Sequence, residues 1–82
     1  LRGVLIARQY VLMDYDIEQA LLPRATAITP GLEAPTISPL ERDGWVAVRS
    51  MVPRTAVNKI MDELYEIGAR AILVSPIQAA RL

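Results

Sequence analysis

The chain has 82 residues, enough for one domain but near the size at which a hydrophobic core leaves only a few kcal/mol of net stability. Hydrophobic residues make up 52% and charged residues 22%, which is globular rather than disordered composition. Nine basic residues balance nine acidic ones, so no long-range field draws the chain to nucleic acid or to an anionic membrane, and neither is expected as a partner. Cysteine and histidine are both absent, which removes disulfides, thiolate and imidazole metal ligands, and Cys or His nucleophile–base pairs. A fold this small without disulfide staples fits a cytoplasmic protein.

Leu1, Val4 and Leu5 fall at helical spacing and no initiator Met precedes them, which predicts a fragment: a helix over 1–8 entering from missing residues, then one domain over 9–82. Tyr10 to Tyr15 is aromatic and aliphatic and closed by Asp14 and Asp16, which suits a buried strand. From Ile17 the positions Ile17, Ala20, Leu21 and Ala25 approximate i, i+3, i+4 spacing, predicting a short helix with Asp16 as its N-cap. Pro23 must then lie in the first turn, or kink or end the helix.

Thr29-Pro30-Gly31 marks a turn, and Pro35 to Pro39 reads as a short strand whose prolines place it at a sheet edge. Asp43-Gly44 is a turn signal leading into Trp45 to Val52, so these two strands form a hairpin. Alternation puts Val46, Val48, Ser50 and Val52 on a face toward helices, and Trp45, Ala47, Arg49 and Met51 on the other. Val57, Ile60, Met61, Leu64 and Ile67 trace the best-defined helical stripe. Lys59 and Glu63 are spaced for an i, i+4 pair, and Gly68 for a left-handed C-terminal cap. Ala71 to Ser75 is a compact apolar run that reads as a central or helix-covered strand, with the tail Ile77 to Leu82 as a candidate extension. No apolar run is long enough to span a bilayer, and the N-terminus lacks a signal-peptide core.

The order strand, helix, strand, strand, helix, strand, with right-handed crossovers, gives an α+β two-layer sandwich of ferredoxin-like βαββαβ topology. Both helices then cover one face of a four-stranded antiparallel sheet of order 4-1-3-2. The other face is left bare, carries Trp45, Ala47 and Met51, and is expected to pack on another subunit.

Catalytic and metal chemistry find little footing. The four glycines are dispersed, so no phosphate-cradling loop is present. Asp14 and Asp16 lack a third and fourth ligand for a metal site. The serines have no histidine to activate them. An acylphosphatase-like enzyme would need positioned Arg and Asn, and the only Asn, Asn58, falls on a helix. Tyr10 and Trp45 could stack nucleotide bases, but without the basic, glycine-containing motif of RNA-binding sheets they read as packing residues. Arg49 on the bare face could be an anion ligand or an ion-pair partner, with solvated or interfacial arginine as the default. A cap at Asp16 is compatible with that residue also facing a ligand.

Tyr10 to Asp16 and Ala25 to Ile37 resemble the C-terminal regulatory domain of long-form ATP phosphoribosyltransferases. Trp45 to Arg49, Met51 to Arg54, Ile60 to Leu64, Ile67 to Ala69 and Ile72-Leu73 continue the likeness in order over nearly the whole chain. The family enzyme condenses ATP with phosphoribosyl pyrophosphate, using magnesium, to phosphoribosyl-ATP and pyrophosphate at the first step of histidine synthesis. The resemblance implies an ACT-like domain that binds L-histidine, inhibits the catalytic domains of the same chain and favours a compact hexamer. It implies that Asp16 takes the histidine ammonium, Thr36 offers its hydroxyl, and Leu32, Met51 and Ala71 supply backbone groups or walls. It also implies that this piece has no catalytic residue, cofactor or metal of its own, Mg2+ belonging to the parent enzyme. A zwitterionic ligand needs such a carboxylate and such donors. The alternative is a ferredoxin-like oligomerisation module without a live ligand site.

Overall fold

Val11, Met13, Tyr15 and Ile17 alternate with Leu12, Asp14 and Asp16. In the computed structural model, which describes residues 2–81, that alternation carries one strand, β1, from Tyr10 to Glu18. The four alternating residues are buried, none above 3% exposed. Asp16 is therefore no helix cap. Ile17 buries its side chain as the next member of the two-residue repeat, and Asp16 faces the opposite side in mid-strand. The chain leaves β1 through a 3-10 turn, Gln19–Leu21, into a short helix, α2, Leu22–Ile28. Neither start has a side-chain cap, and Pro23 sits in the first turn of α2, where its missing N–H costs nothing.

The remaining elements are α1 (Arg2–Gln9), β2 (Thr36–Pro39), β3 (Trp45–Pro53), a 3-10 turn (Arg54–Ala56), α3 (Val57–Ile67) and β4 (Arg70–Pro76). The four strands are antiparallel in the order β2-β3-β1-β4, the ferredoxin-like arrangement expected, with β2 at an edge. The hairpin closes through the Leu40 N–H to the Trp45 carbonyl (3.1 Å) and the Trp45 N–H to the Arg42 carbonyl (3.2 Å). Gly44 takes the left-handed φ of +77° that this turn requires. The Arg42 guanidinium lies 4.0 Å from the Trp45 ring centroid, so the half-buried indole is partly covered by its own hairpin. α1 is helical where helical spacing was expected near the start of the chain, Leu1 lying outside the described residues, and the Arg54 Nε donates to the Arg8 carbonyl at 3.0 Å.

β4 is not central or helix-covered. It is the second edge strand, with Leu73 66% and Val74 41% exposed, and Ile72 alone of its residues is half-buried against the core. An apolar run signals a strand, but which neighbours cover it is decided by the pairing order. Residues 77–81 form no strand and so do not extend β4; they pass so close to α1 that a Cβ on Gly3 would collide with the Ala80 carbonyl oxygen. Leu82 lies outside the described residues. The Lys59–Glu63 pair is not formed.

The core lies between the sheet and α2 and α3, with Val46, Val48 and Val52 of β3 beside β1 and with Ile60 and Leu64 reaching down from α3. Gly68 ends α3 at φ +111°, and its N–H turns back to the carbonyls of Leu64 and Tyr65, while the Ala69 N–H bonds Leu64 at 2.9 Å. Arg70 Nη1 adds bonds to the carbonyls of Tyr65 and Ala69.

One polar network crosses this apolar interior. The Tyr15 hydroxyl and Thr29 Oγ1 share a 2.7 Å hydrogen bond, Thr29 Oγ1 also bonds the Ala25 carbonyl, and Ser50 Oγ donates to the Thr29 carbonyl at 3.1 Å. Burial raises the Tyr15 phenol above its ordinary value, the Thr29 bond opposing this in part. The folded chain thus keeps this proton to higher pH than the unfolded one. Its contribution to stability is constant below about pH 10 and is lost above it, with a limiting slope of about 1.4 kcal/mol per pH unit. Urea midpoints measured from pH 8 to 11 should fall less steeply for Tyr15→Phe than for the wild type.

Candidate functional site on the uncovered sheet face

The face opposite the helices carries Leu12, Asp14 and Asp16 from β1 and Ala47, Arg49 and Met51 from β3. Pairing arranges them in rows: Thr36, Arg49, Asp14 and Leu73 lie side by side across the four strands, and Ser38, Ala47, Asp16 and Arg70 form the next row. The Arg70 side chain leaves its row to lie over the Tyr65 ring on α3. Arg49 Nε donates to Asp14 Oδ1 at 2.8 Å, the only ion pair among the described residues. That bond and, secondarily, the Asp14 charge raise the pKa of the guanidinium further.

Two concavities flank these rows. One, of about 270 Å³, is an open cleft lined by Asp14, Thr36, Ser38, Ala47, Val48 and Arg49. The other, of about 210 Å³, lies under the connection from Thr29 to Pro35 and is walled mainly by apolar groups, among them Ile28, Leu32, Met51 and Ile60. Gly31 lets that connection turn: it sits at φ +79°, and a Cβ there would meet the Glu33 carbonyl oxygen and press within 2.9 Å of Ser50 Oγ. The buried Thr29 anchors the start of the same connection through Tyr15 and Ser50.

The residues expected to hold a ligand fall into two groups. Leu32 and Met51 share the apolar cavity, and Thr36 opens β2 at the rim of the polar cleft. Asp16 and Ala71 lie at the other end, where β1 meets β4. The pairing register slips between Asp14 and Asp16, and Ala71 takes a left-handed φ of +53° that costs a non-glycine residue about 1–2 kcal/mol. Strand spacing puts the Asp16 and Thr36 Cα atoms about 12 Å apart, and those of Asp16 and Met51 about 14 Å apart. Sequence reasoning offered Arg49 as an ion-pair partner but missed that the partner is Asp14. Alternation put Arg49 on this face, but its partner across the strands is fixed only by register.

Among the described residues no three His, Cys, Asp or Glu side chains converge on a possible metal position. No helix among the described residues is long and apolar enough to cross a membrane. Residues 7–79 match the family model described as "HisG, C-terminal domain". The chain belongs to this family. Over all 82 residues it is 74% identical to an ATP phosphoribosyltransferase of Kocuria rhizophila, 67% to one of Pseudarthrobacter chlorophenolicus and 62% to one of Streptomyces coelicolor. In each case the match covers 100% of this chain but 29% of the relative, so the chain spans under a third of the length of these curated relatives.

Proposed function

We propose that this domain is the histidine-sensing regulatory part of an ATP phosphoribosyltransferase, reporting the end product of histidine synthesis to catalytic domains elsewhere in the protein. The observation that carries this is the family membership over residues 7–79, joined to the placement of Asp16 and Thr36 on the face that the helices leave open. A carboxylate for the ammonium, hydroxyls and an apolar wall are what a zwitterionic amino acid with an imidazole side chain requires.

The separation of Asp16 and Ala71 from Leu32 and Met51 supports a ligand held between two copies of the domain, consistent with a homo-oligomer, a hexamer in the intact enzyme. Such a partner would also cover Leu12, Met51 and Leu73, whose apolar surface is otherwise left open. Feedback is then a coupling free energy of about 1–3 kcal/mol between this site and the catalytic cleft, delivered through subunit packing. In this reading Mg2+ and the catalytic steps belong to the parent enzyme, and neither is assigned to the carboxylates of this domain. Calorimetry at high protein concentration, with L-histidine against other amino acids, tests the reading. Selective binding with a raised Tm supports it; the absence of both leaves the oligomerisation module.

A further inference from the structure

We infer that the buried network of Tyr15, Thr29 and Ser50 is the positioning device of the connection 30–35: it fixes where that connection leaves α2, how Leu32 walls the apolar cavity, and where β2 begins. The consequence for a bound amino acid rests on the histidine reading above; the positioning itself rests on the hydrogen bonds.

Three elements converge on one residue. Thr29 follows the last residue of α2, Tyr15 comes from β1 and Ser50 from β3. Thr29 Oγ1 gives its only proton to the Ala25 carbonyl at 3.2 Å, so the Tyr15 hydroxyl is the donor in their 2.7 Å bond. Ser50 Oγ donates to the Thr29 carbonyl, the peptide oxygen that precedes Pro30. Among the described residues no buried side-chain N or O atom lacks a partner, so the network is complete.

Beyond Thr29 the connection is held by little else. Among the described residues, 30–35 make no hydrogen bond before β2 pairs from Thr36, and Pro30, Leu32, Glu33 and Ala34 are exposed. Two prolines remove two of its six backbone donors. Its course is therefore set at its root. Gly31 adds a steric stop, because a Cβ there would press on the same Ser50 Oγ that holds the Thr29 carbonyl.

Stability is a poor account of this network. Replacing both partners of a buried hydrogen bond by apolar groups of the same shape is often close to neutral, and the surrounding core is otherwise apolar. What apolar groups cannot supply is direction. They leave the peptide between Thr29 and Pro30 free to rotate, whereas a carbonyl bonded inside a low-dielectric core has one orientation. Thr29, Leu32 and Met51 line one cavity, and Met51 follows Ser50 on β3, so a shift at Thr29 changes the gap between Leu32 and Met51.

The test uses the full 82-residue chain with Ser50→Ala and, as a milder second variant, Tyr15→Phe. Ser50→Ala leaves the buried Thr29 carbonyl without its partner, which the chain relieves by turning that peptide toward water. Backbone order parameters of the Gly31, Leu32, Glu33 and Ala34 amides should fall from about 0.85 to below about 0.6, while those of α3 stay unchanged. Tyr15→Phe should move the same amides in the same direction by less. The L-histidine affinity of Ser50→Ala should drop about fivefold, and saturating histidine should restore the order parameters. Unchanged order parameters in both variants overturn the inference, as does an equal fall throughout α3, which would make the network part of the general packing. Local loosening with unchanged histidine affinity overturns the role in ligand binding. If Ser50→Ala does not fold, the same readings on Tyr15→Phe decide. If the wild type binds no histidine while these amides loosen as stated, the histidine reading falls and the positioning of the connection stands.

Discussion

Leu64→Ala lowers the unfolding free energy by about 3–4 kcal/mol, read as a fall in the urea midpoint at unchanged m-value. Leu64 is fully buried, sits on the stripe by which α3 meets the sheet, and packs in the cluster that holds Met13, Tyr15 and Ile17. Its surroundings cannot close readily over a void. The Leu64 carbonyl accepts the N–H groups of Gly68 and Ala69 at the helix end, which fixes the backbone above the cavity. For a chain of this size, with a total stability of about 5 kcal/mol, the loss approaches the whole. Leu73→Ala is the matched control. The same truncation on the exposed edge strand should change stability by less than about 0.5 kcal/mol, unless the face is covered by a second copy, in which case the midpoint becomes concentration-dependent.

Under the proposed function, Asp16→Ala should weaken L-histidine about 100-fold by calorimetry, because it deletes the one carboxylate assigned to the ligand ammonium and the charge-assisted hydrogen bond it would make. Asp16→Asn should lose most of the same affinity, since shape is kept and charge is not. The unliganded Tm should barely move. Asp16 is a mid-strand residue that caps no helix, so its loss removes no backbone partner from the fold. Were Asp16 an N-cap, the same change would cost about 1 kcal/mol of stability without ligand. Affinity for histidine equal to that of the wild type would refute the role of Asp16.

Much of the fold is legible in the sequence. The α3 stripe, the Gly68 cap, the Asp43-Gly44 turn and the Val46–Val52 alternation each rest on a local rule that acts within a few residues, and each holds. The error at Asp16 and Ile17 came from a segment where two local patterns compete. Ile17 fits both a helical and an alternating repeat, and burial beside Tyr15 and Val46 chose between them. The error at β4 has another origin: coverage is a property of the sheet order, and the expected order 4-1-3-2, which holds, already put this apolar run at an edge.

The candidate site divides in the same way. Residue types, the absence of cysteine and histidine and the family membership are written in the chain itself, as is the alternation that sends Arg49 and Met51 to one face. What the sequence could not specify is neighbourhood across strands: Arg49 beside Asp14, Thr36 opposite Arg49, and Asp16 and Ala71 set apart from Leu32 and Met51. Those relations join residues far apart in the chain, 35 positions in the case of Asp14 and Arg49. They follow from register, which is settled only when the buried faces of β1 and β3 close on the helices, and a slip of one residue would exchange the two faces. Local pattern determined the elements and the inventory of charged groups, and tertiary packing decided which of those groups meet.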